Sequence, residues 1–356
     1  MKKIILTGGG TAGHVTPNMA LIPRLKEMDY AISYIGSYTG IEKSLIEALG
    51  IPYYGIASGK LRRYRSIKNL SDPFRVFRGY LQSRRLIRRL KPDVVFSKGG
   101  FVSVPVVLAA KHRHIPVIIH ESDMTPGLAN RIAIPAASYV CCNFPETIAS
   151  LPEGRAVLTG SPIRAELFCG SREKALAMTG FTAEKPLLLI MGGSSGSVFL
   201  NTVVRRLLPD LTAQFQIVHL CGKGNLDASL AGTAGYVQYE YISEELPDLF
   251  AGADLVISRA GANSICELLA LRKPNILIPL SKNASRGDQI LNARSFEKQG
   301  FSICIEEEDL TDALLLSSVR DLWERKDSYI RKMEESKLTD AVSTIAGLIE
   351  KAAGKA

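Results

Sequence analysis

The chain is predicted to fold as two doubly wound α/β domains, each on a parallel sheet, and three observations lead there. Short apolar runs alternate with helix-like segments through both halves. The order strand, glycine loop, helix occurs at the amino terminus and again just past the middle. The length of 356 residues is about twice that of an ordinary domain, and 46% hydrophobic with 22% charged residues supplies material for two cores.

Residues 3–7, Lys-Ile-Ile-Leu-Thr, read as a continuously apolar buried strand. Gly8-Gly-Gly-Thr-Ala-Gly13-His14 follows, then a helical segment with Met19, Leu21, Ile22 and Leu25. The second half repeats this with an apolar run at 186–191, the loop Gly192-Gly-Ser-Ser-Gly196-Ser197, and a helix over 198–208. Further strands are expected at 32–35, 94–96 and 117–119, then at 217–220, 255–257 and 275–278. Pro162 and the irregular stretch 160–185 mark the seam, giving domains of 1–162 and 163–340. Residues 341–356 form a closing helix expected to pack back on the amino-terminal domain. Ligands of open parallel sheets sit beyond the carboxyl ends of the strands, so a cleft lined by both glycine loops is expected.

Several classes are excluded. No apolar stretch approaches the 18 residues needed to span a bilayer, and the run 101–110 contains Pro105. Only Ile4-Ile5-Leu6 separate the first lysines from the glycines, too little for a signal peptide, so a cytosolic protein is expected. The six cysteines show no C-x-x-C pair, which indicates neither a zinc site nor a disulfide framework.

Charge is concentrated. Residues 60–91 hold twelve Lys or Arg and one acid, Asp72, a net +11 against +9 for the whole chain. Phe74, Phe77 and Leu81, with Arg75, Arg78, Arg84 and Arg85 between and after them, suit an amphipathic helix starting at Asp72-Pro73. Three readings are open here: a solvated helix face, a surface for anionic lipid headgroups, and a nucleic-acid patch.

Gly8, Gly10 and Gly13 satisfy G-x-G-x-x-G, but no acid closes the second strand before Glu42, which counts against a nicotinamide cofactor. Neither loop continues into G-K-[ST], which counts against an ATPase. His14 stands at a loop-to-helix junction, either as a general base projecting into the cleft or as a packing residue. Residues 258–267 read as a turn into a helix whose amides can hold a phosphate while Glu267 accepts from ribose hydroxyls; an ordinary capped helix is the alternative. The loop 281–289 suits sugar hydroxyls or plain solvent. No D-x-D segment is present to hold a metal on a diphosphate, so loop amides and a cation such as Arg164 would stabilise the leaving group, and no metal cofactor is expected.

Taken in order, Gly8-Gly-Gly-Thr-Ala-Gly-His14, Lys98-Gly-Gly-Phe-Val-Ser103, His120-Glu121, Pro126-Gly-Leu-Ala-Asn130, Thr159-Gly-Ser-Pro-Ile-Arg164, Gly192-Gly-Ser194, Arg259-Ala-Gly-Ala262 with Glu267, and Gln289 with Asn292 resemble the motifs of the MurG-type glycosyltransferases. The resemblance runs from residue 4 to about 300. It implies the GT-B fold and transfer of N-acetylglucosamine from UDP-GlcNAc to the 4-hydroxyl of the lipid-linked muramoyl pentapeptide, lipid I, giving lipid II for peptidoglycan, with inversion at the anomeric carbon. It further implies that His14 is the catalytic base, with Thr11, Ala12 and Gly13 near the sugar and the acceptor's diphosphate. Arg164 and Ser194 would contact the donor's phosphates, Ile242 the uracil, Glu267 the ribose and Gln289 the transferred sugar. Gly100, Ser195, Ala262 and Asn263 fall in the same motifs. Asp123 and Asp288 depart from the family's usual residues and are expected to border the sugar pocket. With a lipid acceptor, the basic patch is expected to face the anionic cytoplasmic leaflet, making the protein peripheral on that membrane, with no nucleic-acid partner.

Overall fold

The computed structural model describes residues 1–59, 68–193, 196–283, 286–336, 338 and 340–354. The chain divides into two compact units, Met1–Arg164 together with Asp340–Ala356, and Ala165–Thr339. This differs from the expected seam by two residues and places Arg164 in the first unit.

The described residues of the first unit form a seven-stranded parallel sheet, β1 (Lys2–Thr7), β2 (Tyr30–Ser37), β3 (Tyr53–Ile56), β4 (Val94–Ser97), β5 (Val117–Glu121), β6 (Tyr139–Cys142) and β7 (Ala156–Leu158), in the order 3-2-1-4-5-6-7. The second has six parallel strands, β8 (Leu187–Met191), β9 (Gln216–Leu220), β10 (Tyr236–Tyr239), β11 (Leu255–Ser258), β12 (Asn275–Leu277) and β13 (Ser302–Cys304), in the order 10-9-8-11-12-13. In both, the order reverses beside the strand that carries the glycine loop, β1 or β8, which is where open α/β sheets bind ligands.

The central strands are apolar without alternation because both faces are covered. Ile4 and Leu6 of β1 join one core with Val94 and Phe96 of β4, while Ile5 and Val95 join the core on the opposite face. The last helix, Ala341–Ala353, is capped by Asp340, whose side chain accepts from Ser343 N. Its Ile345, Ile349 and Ala352 pack beside Leu21, Ile22 and Leu25 of the helix Thr16–Glu27. Tyr30 Oη donates to Glu350 at 2.6 Å and Lys2 pairs with the same carboxylate.

The basic helix is longer than the capping signal implied. It runs from Lys68 to Leu90 with Pro73 inside it. Asp72 is therefore a helical residue rather than the N-cap, and Pro73, six residues in, forfeits one early backbone bond. The helix lies against the segment after β3: a Cβ on Gly79 would sit 2.1 Å from Ala57 O. Residues 60–67 of the basic stretch lie outside the described residues.

Candidate functional site

In the first unit, the chain leaves β1 at Thr7 and turns through glycines that cannot be replaced without a collision. A Cβ on Gly8 would meet His14 O at 2.5 Å, and one on Gly10, at φ +90°, would meet the Phe101 ring at 2.7 Å. The short 3-10 turn Ala12–His14 closes with His14 N donating to Thr11 O at 3.1 Å and Val15 N to Ala12 O at 2.8 Å. Thr11 and Ala12 are exposed at its tip, and Gly13 is half-buried. Beneath the loop, Tyr34 Oη donates to Gly8 O at 2.8 Å and Asn18 Nδ2 to Thr7 O at 3.2 Å.

His14 itself is half-buried, with Nδ1 3.2 Å from Lys98 O. A carbonyl only accepts, so this contact puts the ring proton on Nδ1 and leaves the lone pair on Nε2. Burial first, and the Lys98 charge second, lower the His14 pKa from 6.5 to about 4. At neutral pH the imidazole is therefore uncharged, which a general base requires.

Two neighbouring loops complete this edge. Gly99 and Gly100 after β4 have φ of +88° and +81°. A Cβ on Gly100 would sit 2.3 Å from Gly9 O and 3.2 Å from His14 Cδ2. At the end of β5, buried Glu121 accepts from Asp123 N at 3.1 Å, Gly127 N at 3.0 Å and Asn130 Nδ2 at 2.8 Å, so its carboxylate shapes the turn that carries half-buried Asp123. His120 Nε2 donates to Gly160 O at 2.9 Å, tying this turn to the segment that ends at Arg164. Arg164 is half-buried, and its Nε is enclosed without a hydrogen-bond partner.

In the second unit, Gly193 and Gly196 have φ of +83° and +75°, and Gly196 fits against Cys221 O, which a Cβ would approach to 2.1 Å. Ser194, the expected phosphate contact, and Ser195 beside it lie outside the described residues. Ser197 caps the helix Val198–Arg206 by accepting from Leu200 N at 3.2 Å. Buried Arg259 then binds three segments together. It donates to Ser197 Oγ at 2.6 Å, to Ile278 O at 3.0 Å and Pro279 O at 3.2 Å, and pairs with Glu307. The helix Ala262–Ala270 starts just after it, with Ala262 buried and Asn263 half-buried in the first turn and Glu267 half-buried farther along. The first-turn amides of this helix open beside the glycine loop's strand, because β11 pairs with β8, an arrangement that suits an anion. Ile242 is buried at the carboxyl end of β10. Gln289 Oε1 accepts from Leu280 N at 3.1 Å, and buried Asn292 donates to Ala260 O at 3.3 Å, so the helix Asp288–Lys298 is pinned to the same edge.

Each unit thus gathers its candidate residues at the carboxyl edge of its own sheet, a neutral histidine in one and a helix N-terminus beside a glycine loop in the other. Residues 4–141 match the glycosyltransferase family 28 N-terminal domain, and residues 187–347 match that family's C-terminal domain. The chain belongs to glycosyltransferase family 28. This family 28 enzyme is 65% identical over 350 residues to proteins of Lachnospira eligens and Lachnoclostridium phytofermentans, covering 98% of this chain and 99% of each relative. Both are named UDP-N-acetylglucosamine--N-acetylmuramyl-(pentapeptide) pyrophosphoryl-undecaprenol N-acetylglucosamine transferase. The crystal structure of MurG from Acinetobacter baumannii superposes with a TM-score of 0.79 at 27% identity, over 99% of this chain and 100% of that one. The GT-B architecture of the family 28 enzymes is therefore the architecture of this chain.

One expectation changes on this framework and one gains a partner. Asp288, expected beside the sugar, pairs with Arg286 at 2.8 Å in the first turn of its helix. Arg164 belongs to the unit that holds His14, whereas the sequence grouped it with the nucleotide domain. Three residues of this glycosyltransferase were given no role from sequence. Glu42 is fully buried and accepts from Gly10 N at 3.3 Å, Ser37 N at 3.0 Å and Ser37 Oγ at 2.5 Å, bracing the first loop. Lys98 and Arg259 are the others. For Lys98 and Arg259 the available signal was a lone charged side chain among glycines and apolar residues, in Phe96-Ser-Lys98-Gly-Gly and Ile257-Ser-Arg259-Ala-Gly; Glu42, followed by Lys43, carried no such signal.

Proposed function

We propose that this enzyme transfers N-acetylglucosamine from UDP-GlcNAc to the muramoyl 4-hydroxyl of lipid I, releasing UDP and producing lipid II. The observation that carries this reading is the near full-length 65% identity to relatives bearing that name. His14 Nε2 takes the proton of the acceptor hydroxyl as its oxygen bonds to the anomeric carbon and the bond to UDP breaks, so the configuration inverts in one displacement. Thr11, Ala12 and Gly13 form the tip that meets the sugar and the acceptor, with Gly100 beside it, and Asp123 borders the sugar. The diphosphate is assigned to Arg164, Ser194, Ser195 and the amides of Ala262 and Asn263, groups suited to stabilise its growing charge as UDP departs. Glu267 takes the ribose hydroxyls, the Ile242 backbone the uracil, and Gln289 with Asp288 the sugar.

The test is transfer from radiolabelled UDP-GlcNAc to a short-chain lipid I analogue, with chelator present, for the unaltered enzyme and His14→Ala. Transfer that collapses in the variant while UDP-GlcNAc binding persists supports the assignment; binding without transfer in the unaltered enzyme overturns the acceptor.

The enzyme also works at a membrane surface, on the cytoplasmic leaflet where a nucleotide sugar is available. Among the described residues no helix is long and apolar enough to cross a bilayer. Phe74, Phe77 and Leu81 are 77%, 61% and 47% exposed on the basic helix Lys68–Leu90, which also carries Arg75, Arg78, Arg84 and Arg85. Beside them is an apolar groove of about 890 Å³ lined by Val76, Phe77, Tyr80, Leu108 and Lys111. Apolar side chains among arginines suit an anionic bilayer interface. Replacing these four arginines with glutamine should weaken binding to anionic liposomes and spare turnover of the soluble analogue; equal loss of both would sink the membrane role.

A further inference from the structure

Lys98 is an anomaly of the first sheet. It follows β4, all of whose residues are fully buried, and it is itself only 1% exposed. A lysine ammonium is costly to bury, and an apolar side chain would suit the packing better, so its presence calls for a reason. Its contacts supply one. Its backbone N donates to Thr7 O at 2.9 Å, at the end of β1. Its side chain passes under the glycine loop, where a Cβ on Gly8 would meet Lys98 Cβ at 3.2 Å, and its ammonium donates to Ser122 Oγ just beyond β5. Its carbonyl faces His14 Nδ1 at 3.2 Å. One residue therefore joins the ends of three strands and touches the base.

We propose that Lys98 is a positioning residue for His14: its carbonyl holds the ring proton on Nδ1, and its buried positive charge disfavours a second positive charge on the ring, so that Nε2 meets the acceptor hydroxyl unprotonated. This rests on the reading of His14 as the base. Two charged groups act on the ring from the elements packed around it, Lys98 from the end of β4 and Glu42 from the helix Ile41–Glu47, and they act in opposite directions. Burial and Lys98 outweigh Glu42 and the hydrogen bond to the carbonyl, which leaves the ring titrating near 4 instead of 6.5. The enzyme thereby keeps its base in the working form at acidic pH and accepts a weaker base in exchange.

The experiment is the pH profile of kcat/KM with the soluble acceptor for the unaltered enzyme, Lys98→Met and Lys98→Arg. The methionine keeps the unbranched shape and nearly the volume and removes the charge; the arginine keeps the charge. The acid limb should move upward by about half a unit or more in Lys98→Met, so that its rate at pH 4, relative to its own rate at pH 8, falls at least about twofold further than that of the unaltered enzyme, while Lys98→Arg keeps the original limb. A purely structural lysine would lower the rate equally at all pH values, and an unmoved limb in Lys98→Met overturns the proposal. Should that variant fail to fold, nitrogen-15 NMR of labelled histidine in the unaltered protein decides. His14 is expected as the Nδ1–H tautomer at pH 7, titrating well below 6.5; the Nε2–H tautomer or titration near 6.5 overturns the inference. His14→Asn is run alongside: wild-type turnover in that variant would remove His14 as base without altering the NMR result, so the two failures are distinguishable.

Discussion

Gly100→Ala puts the placement of His14 under a direct test. The residue has φ +81°, and an added Cβ would lie 2.3 Å from Gly9 O. Ordinary carbon–oxygen contact needs roughly 3.4 Å, so backbone must move by about 1 Å, and no rotamer relieves a contact between two main chains. The same Cβ would press on His14 Cδ2 at 3.2 Å, so the displacement is delivered to the base. A left-handed backbone costs an alanine about 1–2 kcal/mol, and a misplacement of this size at a reacting group costs on the order of 10²-fold in rate. We expect kcat/KM to fall roughly 10- to 100-fold, or about 1.4–2.7 kcal/mol of transition-state stabilisation. The control is Gly154→Ala, where φ is +72° but nothing lies within 4 Å of the added carbon. It should show the backbone penalty as a lower melting temperature and keep wild-type turnover. Steady-state transfer kinetics, a thermal melt and UDP binding for both variants separate the terms. If Gly100→Ala lost no more activity than Gly154→Ala, the close approach of the two loops would have no part in placing His14.

Other perturbations follow from buried groups. Glu42→Gln keeps the shape but offers one acceptor oxygen to the Gly10 and Ser37 amides, so one donor is stranded at a cost of about 1–3 kcal/mol, read in urea unfolding, with transfer falling and UDP binding unchanged. Arg259→Ala leaves Glu307 unpaired beside a loop that has lost its tie to Ser197; about 3–5 kcal/mol of stability and most UDP affinity should be lost, by calorimetry and titration. His219 is fully buried between Tyr236 Oη and Asn201 Oδ1, both at 3.0 Å, and burial lowers its pKa from 6.5 to about 3. The unfolded chain binds that proton first, so its contribution to stability is complete above pH 6.5 and is lost as pH falls toward 3, on the order of 1 kcal/mol per unit. His219→Gln should flatten that slope in denaturation measured from pH 7 to 4. Finally, Ile349→Ala should cost the first unit about 2–5 kcal/mol although it lies in the last helix, which a truncated second unit, 165–339, unfolded in parallel, would not share.

The central strands were legible because burial on both faces writes itself as a continuous apolar run, as in Ile4-Ile5-Leu6 and Leu187 to Met191. Strands β3, β7, β10 and β13, at the sheet edges, and β6 beside β7 went unread. Three of the edge strands are largely half-buried, and their mixed sequences, such as Tyr-Val-Gln-Tyr in β10, resemble loops until a neighbour supplies the pairing. The start of the basic helix was misplaced because Asp-Pro is a strong capping signal, yet here the turn before it is also helical.

The sequence by itself determined the two parallel sheets, the two glycine loops, the family and the histidine beside the first loop. These are local facts: burial on two faces, a positive φ or a loop-to-helix junction leaves its mark within a few adjacent residues. What only the tertiary structure decided is how the charged groups are spent. Lys98 reaches His14 across 84 positions, Arg259 reaches Ser197 across 62 and Glu307 across 48, and Glu42 lies 32 residues from the Gly10 amide it accepts. Asp288, read as a carboxylate for the sugar, has a guanidinium two residues away. A buried charge is stable only through partners the fold brings to it, and periodicity along the chain carries no record of those partners.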